Sequence, residues 1–175
     1  RLNSSIPTTS TNSLRYCTTR QKLFKHYDMN LVYINSTNGL SKAALETVTY
    51  AKKLGGEVLV VTNGNASADT LSTLGAYGAS GVLQDPSIDG QDPSQLVKLV
   101  AAAAQKANAS TIVFSHDLVG KAVAPRLSVR LKAGLVAGAV ALPEADGSIK
   151  VNVFSGKAFG FVRVNSSVRI ISLLP

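Results

Sequence analysis

The stretch TIVFSHDLVGKAVAPRLSVRLKAGLVAGAVAL, residues 111–142, predicts one strand–helix–strand unit. The short apolar run Thr111–His116 is typical of a buried strand. A helical pattern follows from about Val119 to Lys132, and a second apolar run starts directly after it. The pair Gly120-Lys121 stands where the helix begins, so the stretch also raises the question of a phosphate site.

The same alternation runs backward along the chain to residue 29. Near-continuous apolar strands that alternate with helices are typical of a parallel sheet with right-handed crossovers and helices on both faces. We therefore predict an α/β, Rossmann-like fold with a mostly parallel sheet. The further predicted strands are Asn30–Asn35, Glu57–Thr62 and Gly81–Asp85, and the further predicted helices are Ser41–Leu54, Ala68–Tyr77 and Pro93–Ala107.

The last third of the chain changes character. After the helix that ends near Lys132, four strand-like runs follow one another with only short turns between them. This pattern predicts a β-rich C-terminal end, built as an antiparallel ribbon or as added edge strands. The four runs span residues 134–142, 149–156, 158–164 and 167–174.

The leading segment, residues 1–28, differs from the rest. It is rich in Ser, Thr, Asn and Arg, and it shows no sustained apolar period. Such a composition predicts a disordered leader, because it buries too little apolar area to offset the entropy of ordering. We expect either a transit peptide or an upstream extension of a single domain over residues 29–175.

Charge, cysteine count and hydropathy exclude several classes of function. The chain of 175 residues carries a net charge of +8. Residues 1–28 hold five cations and one acid, and the much longer remainder holds thirteen cations and nine acids. This spread argues against a nucleic-acid surface. The single cysteine, Cys17, excludes an internal disulfide. No apolar run reaches the roughly 18–20 residues that span a bilayer, so we expect no membrane insertion.

Gly120-Lys121 is a poor phosphate-binding motif. A P-loop needs glycine five residues before its Gly-Lys pair and Ser or Thr directly after the lysine. Here Ser115 and Ala122 occupy those two places. A helix N-terminus that follows a parallel strand can still bind an anion through free amides, so a bound phosphate is one alternative.

Neither catalysis nor a metal site is predicted. His116 and Asp117 follow a strand at the edge where open α/β sheets bind ligands. A lone His beside a lone Asp is a weak indication of catalysis, and Asp117 suits a helix cap. With His26 as the other histidine, no metal triad is available. The loop after the first strand lacks the dinucleotide-binding motif Gly-x-Gly-x-x-Gly. A site for an adenine nucleotide between the ends of the first and fourth strands is still an open alternative.

Lys121, Arg126, Arg130 and Lys132 lie on one predicted helix. They form either a solvated basic face or a contact surface where Lys121 and Arg126 meet carboxylates of a neighbouring chain. Pro125 lies inside this helix, so we expect it to kink the helix or to mark a later start.

The segments SHDLVGKAVAPRLSVRLKAGLVAGAVAL, VFSGKAFGFVRV and VRIISLLP resemble, in this order, the amino-terminal domain of the electron transfer flavoprotein alpha subunit. The family pattern of Gly-Lys, Pro-Arg and a later Lys is met by Gly120, Lys121, Pro125, Arg126 and Lys132. LVYIN and LGAYGASGVL are similar to its earlier strands, so the resemblance covers residues 29–175. One departure is Ala137-Gly138, where many members have Ser-Asp.

The resemblance implies an electron carrier rather than an enzyme. It implies a heterodimer with a beta subunit, which binds AMP, and an FAD held mainly by a carboxy-terminal domain that we expect to lie outside this chain. In that family the complex passes electrons from acyl-CoA and other flavin dehydrogenases, as in fatty acid β-oxidation, to a membrane quinone oxidoreductase. It implies location in the bacterial cytoplasm or, alternatively, the mitochondrial matrix.

For this chain the resemblance implies a scaffold and docking domain without catalytic, cofactor-binding or metal sites of its own. The subunit-interface hypothesis names Gly120, Lys121, Pro125 and Arg126, with Gly120 as a tight strand-to-helix turn. The alternatives are a stand-alone adenine-nucleotide-binding domain of the universal-stress type and an enzyme that uses His116.

Overall fold

The computed structural model describes residues 29–36, 39–64, 67–88 and 90–174. The predictions for the leader, residues 1–28, and for Cys17 and His26 lie outside the described residues.

Strands and helices alternate through the first two thirds of the described chain, as predicted. Each predicted strand and helix is present with bounds within a few residues of the expected ones. The strands are β1 (Met29–Asn35), β2 (Glu57–Asn63), β3 (Gly81–Asp85), β4 (Thr111–Ser115), β5 (Gly134–Ala139), β6 (Ser148–Val153), β7 (Ala158–Arg163) and β8 (Arg169–Leu173). The helices are α1 (Lys42–Lys53), α2 (Ala68–Ala76), α3 (Pro93–Lys106) and α4 (Leu118–Leu131).

The strands form one sheet in the order β3-β2-β1-β4-β8-β5-β6-β7. The pairs from β3 through to β5 are all parallel, whereas β5–β6 and β6–β7 are antiparallel. This confirms the α/β, Rossmann-like class with a mostly parallel sheet.

The expectation for the β-rich end was wrong for its last strand. Antiparallel pairing is confined to β5–β6 and β6–β7, while β8 lies inside the sheet, parallel to both β4 and β5. The physical reason is burial, since all five residues Arg169–Leu173 are buried and both edges of this strand are hydrogen-bonded. A short run such as Ile170-Ile171-Ser172 stabilises the fold more in the centre of a sheet than at its rim.

The core lies in two layers, one on each face of the sheet. Alternate residues of each strand enter opposite layers, as the period of two requires. On one face Phe114 and Ile170 pack with α3 and α4, and on the other Ile34 and Ile171 pack with α1. Helices therefore cover both faces, as predicted.

The helix starts follow the sequence closely. Ser41 Oγ accepts the amide of Ala44 at 3.1 Å, and Asp92 accepts that of Ser94 at 2.8 Å, with Pro93 in the first turn. α4 begins at Leu118 and continues through Pro125 to Leu131. The later start suggested for this helix is therefore wrong, because the Asp117 cap begins the helix seven residues before the proline is reached.

Ile170→Ala and Ile171→Ala are each expected to lower the free energy of unfolding by about 2–5 kcal/mol, because each leaves a cavity in a fully buried layer. Urea denaturation followed by circular dichroism measures the change. Val162→Ala in the outer strand β7, where the side chain is partly exposed, serves as the control and is expected to change stability by about 1 kcal/mol or less. Small effects at both isoleucines would place the last strand at an edge.

Candidate functional site

The strand order reverses between β1 and β4, which are neighbours at the centre of the parallel region. Open α/β sheets bind ligands beyond the carboxyl ends of the strands at such a switch point. In this chain the crevice there is lined by polar groups from β1, β4 and the starts of α1 and α4. The lining residues that bear on chemistry are Tyr33, Asn35, Ser41, Ser115, Asp117 and Gly120.

This crevice is nearly closed. Its volume is about 30 Å³, whereas small-molecule sites occupy roughly 300–1,000 Å³. Polar groups near it are engaged inside the protein, since Tyr33 Oη donates to Asn63 Oδ1 at 2.9 Å and Asn35 Nδ2 donates to the Gly90 carbonyl at 3.3 Å. Burial, and secondly the charge of Asp117, raise the pKa of Tyr33, which therefore remains a hydrogen-bond donor. The described residues leave room for a water molecule and not for a nucleotide.

Gly120 is required by packing at the first turn of α4. A Cβ atom at this position would lie 1.9 Å from the carbonyl oxygen of Ser115, at the end of β4. The amide of Gly120 is already taken by Asp117 Oδ1 at 2.7 Å. That carboxylate places negative charge where a phosphate would sit. Gly120 therefore serves the strand-to-helix turn, and Gly120-Lys121 is not built as a phosphate cradle.

His116 is tied to the last strand. Its Nδ1 lies 2.7 Å from Ser172 Oγ, and its backbone N–H donates to the Leu173 carbonyl at 2.8 Å. Ser172 is only 2% exposed, so its hydroxyl cannot reach a substrate as a nucleophile. Burial, and secondly Lys121, lower the pKa of His116, while Asp117 opposes the shift. The pair joins β4 to β8.

The other interface candidates lie on the outside of α4. Lys121, Pro125 and Arg126 are all exposed, whereas Gly120, in the first turn of the same helix, is buried. The Arg126 Nη1 donates to the Ala122 carbonyl one turn earlier at 2.7 Å, which holds the guanidinium along the helix. These three side chains, rather than Gly120, are the ones available to another molecule.

A wider and more open groove, of about 410 Å³, lies between α1 and the segment after β5. Its walls are largely apolar, including Leu45, Tyr77 and Leu142, and Lys42 and Lys53 stand on its rim. None of the residues that the sequence singled out as site candidates lines this groove.

Two features escaped sequence reasoning. The His116–Ser172 contact joins residues 56 positions apart, and no local spacing indicates such a pair. The exposed phenylalanines of β7, Phe159 and Phe161, were assigned to a strand but not to an outer face. Their alternation with Gly160 and Val162 was the available indication, because residues two apart share a face.

Within the described residues, no group of three His, Cys, Asp or Glu side chains could hold a metal ion. None of the helices in that part of the chain has the length and apolar character to cross a bilayer.

Comparison with known proteins connects the whole domain to one family. The sequence model of the Electron transfer flavoprotein domain matches residues 30–175. The Electron transfer flavoprotein subunit alpha of Bacillus subtilis is 29% identical over 108 residues, covering 59% of this chain and 33% of its own length. The protein of the same name from Syntrophomonas wolfei is 25% identical over 138 residues, covering 76% of this chain and 44% of its own length. The chain thus spans less than half the length of these two relatives.

Solved structures with a similar arrangement include a universal stress protein in complex with cAMP. It is 16% identical, with a TM-score of 0.40, and the match covers 59% of this chain and 90% of that one. This likeness is too distant to bear on function.

Gly120→Ala is expected to destabilise the protein by more than about 4 kcal/mol or to prevent folding, because backbone must move to admit the methyl group. Thermal unfolding and the yield of folded protein measure the effect. Gly75→Ala in α2 is the matched control, since a Cβ there meets nothing within 4 Å. It is expected to raise stability by about 0.5–1 kcal/mol. Equal stability of the two variants would contradict the packing described for Gly120.

The imidazole of His116 is expected to titrate below its ordinary pKa of 6.5. Because the folded state disfavours the protonated ring, folding stability should fall as the pH drops below 6.5 and level off below the folded pKa. NMR titration of the ring protons, assigned with His116→Gln, checks this. Lys121→Gln should raise the pKa and Asp117→Asn should lower it further. A titration midpoint above 6.5 would contradict the environment described for this ring.

Proposed function

The chain belongs to the electron transfer flavoprotein domain family, and on that premise we propose that it forms the scaffold and subunit-docking domain of an electron transfer flavoprotein alpha subunit. The observation that carries the proposal is the family match over residues 30–175, which takes in the four α-helices and, apart from Met29, the sheet of the described part of the chain. The relatives named alpha subunit support the choice of subunit.

The described residues do not fit a bound FAD at the switch point. The crevice of about 30 Å³ is too small, and Asp117 occupies the helix N-terminus that would otherwise meet a pyrophosphate. When bound, a flavin supplies the electron-carrying chemistry, and the protein supplies position and electrostatics. We therefore place the flavin on parts of the complex outside this domain, and any AMP on the beta subunit.

The docking role falls first on the outer side of α4. Lys121 and Arg126 are exposed cations, and Pro125 between them restricts the backbone. The bond from Arg126 to Ala122 holds the guanidinium before a partner arrives, which reduces the entropy lost on binding. A planar guanidinium held in this way suits a carboxylate of the beta subunit.

The complete complex would accept electrons from acyl-CoA dehydrogenases and other flavin dehydrogenases and deliver them to the respiratory chain through a quinone oxidoreductase. In this proposal the domain performs no bond-making step. Its contribution is to hold a second subunit in a fixed position relative to the flavin.

The two alternatives gain no support from the site. An adenine nucleotide would need a larger crevice than the one at the β1 and β4 ends. An enzyme based on His116 would need a reachable partner group, whereas Ser172 is buried.

Arg126→Ala is expected to weaken binding of the beta-type subunit from the same organism by about 2–5 kcal/mol, because a carboxylate of the partner loses its counter-charge at the seam. Isothermal titration calorimetry measures the affinity, and the flavin absorption of any complex that assembles should be unchanged. Arg130→Ala, an exposed arginine one turn along the same helix, is the control. Unchanged affinity of Arg126→Ala would remove this residue from the interface. Micromolar binding of ATP or AMP by the chain alone would favour the nucleotide-binding alternative.

A further inference from the structure

The open groove between α1 and the segment after β5, which we call the α1 groove, has the size of a ligand site. Its volume of about 410 Å³ falls in the range of roughly 300–1,000 Å³ that small-molecule sites occupy. One wall is a stripe of α1 in which Leu45 and Thr49 follow one another at helical spacing. The other wall is formed by residues 140–142, and Leu173, which is only 8% exposed, lies at the base.

The hydroxyl groups that line the α1 groove are engaged inside the protein. Tyr50 Oη donates to the Ala141 carbonyl at 3.0 Å and so ties α1 to the opposite wall. Thr49 Oγ1 donates to the Leu45 carbonyl at 3.0 Å within the helix. A peptide in the groove would find neither hydroxyl as a partner for its backbone amides, and burying unpaired amides costs free energy. An aliphatic chain carries no such cost.

The walls of the α1 groove leave apolar surface in water. Tyr77 is 45% exposed and Leu142 is 38% exposed, and both line the groove. Apolar surface at a concave site favours a ligand with an apolar body, because binding removes both surfaces from water.

The rim of the α1 groove carries an excess of positive charge. Lys42 and Lys53 stand against one acid, Glu46. Lys42 Nζ lies 3.9 Å from Glu46 Oε1, so these two charges offset each other. Among the described residues, Lys53 has no ion-pair partner. The charge available to a ligand is therefore the ammonium group of Lys53.

An aromatic ring lies at the same end of α1 as this ammonium group. Lys53 is the last residue of the helix. Gly78, which follows Tyr77, lies so near the end of α1 that a Cβ atom there would be 2.9 Å from Lys52 Cγ. The groove thus has a cation beside an aromatic ring at one end and apolar walls along its length, which extends roughly 16 Å from Lys42 to Lys53.

We propose that the α1 groove binds a linear aliphatic carboxylate of medium chain length. The hydrocarbon chain lies between Leu45 and Leu142, and the carboxylate meets Lys53. The positive rim favours an anion, and the apolar walls favour an aliphatic chain. Residues 1–28 of this chain are a poorer occupant, because their five cations and one acid would meet like charge at the rim.

The inference goes beyond the proposed function and does not rest on it. The α1 groove shares no lining residue with α4, which carries the proposed docking surface. Either proposal can therefore fail without the other.

The test titrates the isotope-labelled full chain with sodium octanoate and follows backbone amide shifts by NMR. We expect saturable shifts concentrated at Leu45, Tyr77 and Leu142, with a Kd of about 1 mM or lower. Sodium hexanoate, which lacks two of the methylene groups, should bind about tenfold more weakly. Octylammonium chloride has the same chain and the opposite charge, and it should bind about fivefold more weakly or worse.

Two variants with matched controls test the named contacts. Leu142→Asn should raise the Kd for octanoate about tenfold, because it removes apolar wall. Leu71→Asn, at an equally exposed leucine in α2 outside the groove, should leave the Kd unchanged. Lys53→Gln should raise the Kd about two- to fivefold, as for an exposed ion pair. Lys52→Gln, at the neighbouring exposed lysine that does not line the groove, is its control. Circular dichroism and urea denaturation confirm that each variant is folded.

Octanoate binding that depends on chain length, charge and Leu142 in this way supports the inference. The absence of saturable shifts at the groove residues would overturn the site altogether. If octylammonium binds as tightly as octanoate, or if Lys52→Gln weakens binding as much as Lys53→Gln, the assignment of a carboxylate to Lys53 is wrong. Binding of the beta-type subunit, which Arg126→Ala tests, is a separate measurement that leaves this inference unaffected.

Discussion

The close approach of α4 to the end of β4 governs most of what this domain can do. The Ser115 carbonyl fills the space that a side chain at residue 120 would need, and Asp117 takes the amide that a phosphate would need. The first turn of the helix is thereby seated directly on the strand. The start of this helix also lines the crevice at the switch point, and Lys121 and Arg126 lie on its exposed side. Among the described residues, the crevice has a volume of only about 30 Å³.

The docking role proposed above falls on exposed side chains rather than on this crevice. This domain has two such sets, the cations of α4 and the aromatic residues of the outer hairpin. Both are attached to the core by buried residues, Leu127 beneath α4 and Ile149 beneath the hairpin, so neither depends on a loop for its position. This arrangement supports the proposed scaffold role, because a scaffold needs fixed distances between surfaces.

The sequence predicted local structure well and long-range placement poorly. Periodicity, Ser41, Asp92 and Asp117 located the alternating strands and helices, because caps and apolar spacing act within a few residues. The position of β8 could not be read in this way. Its apolar run Arg169–Leu173 suits either an edge or a centre, and only pairing with residues far away in the chain decides between them. The same limit hid the contact of His116 with Ser172. The sequence indicated that Gly120 is a turn residue. The reason is that any Cβ atom at this position would clash with the Ser115 carbonyl, and that contact is visible only in the folded structure.

The position of β8 makes the sheet continuous, because this strand pairs with both β4 and β5. That strand lies between β4 and β5 and is hydrogen-bonded to both, so it connects the strands before α4 to the strands that lead to the hairpin. With it, β4, β8, β5, β6 and β7 form one uninterrupted ladder, and His116 fastens the carboxyl end of β4 to the same strand. The docking surface proposed on α4 is therefore carried by the same continuous sheet as the outer hairpin. The strand that sequence reasoning placed at the rim is thus the element that joins the two parts of the sheet.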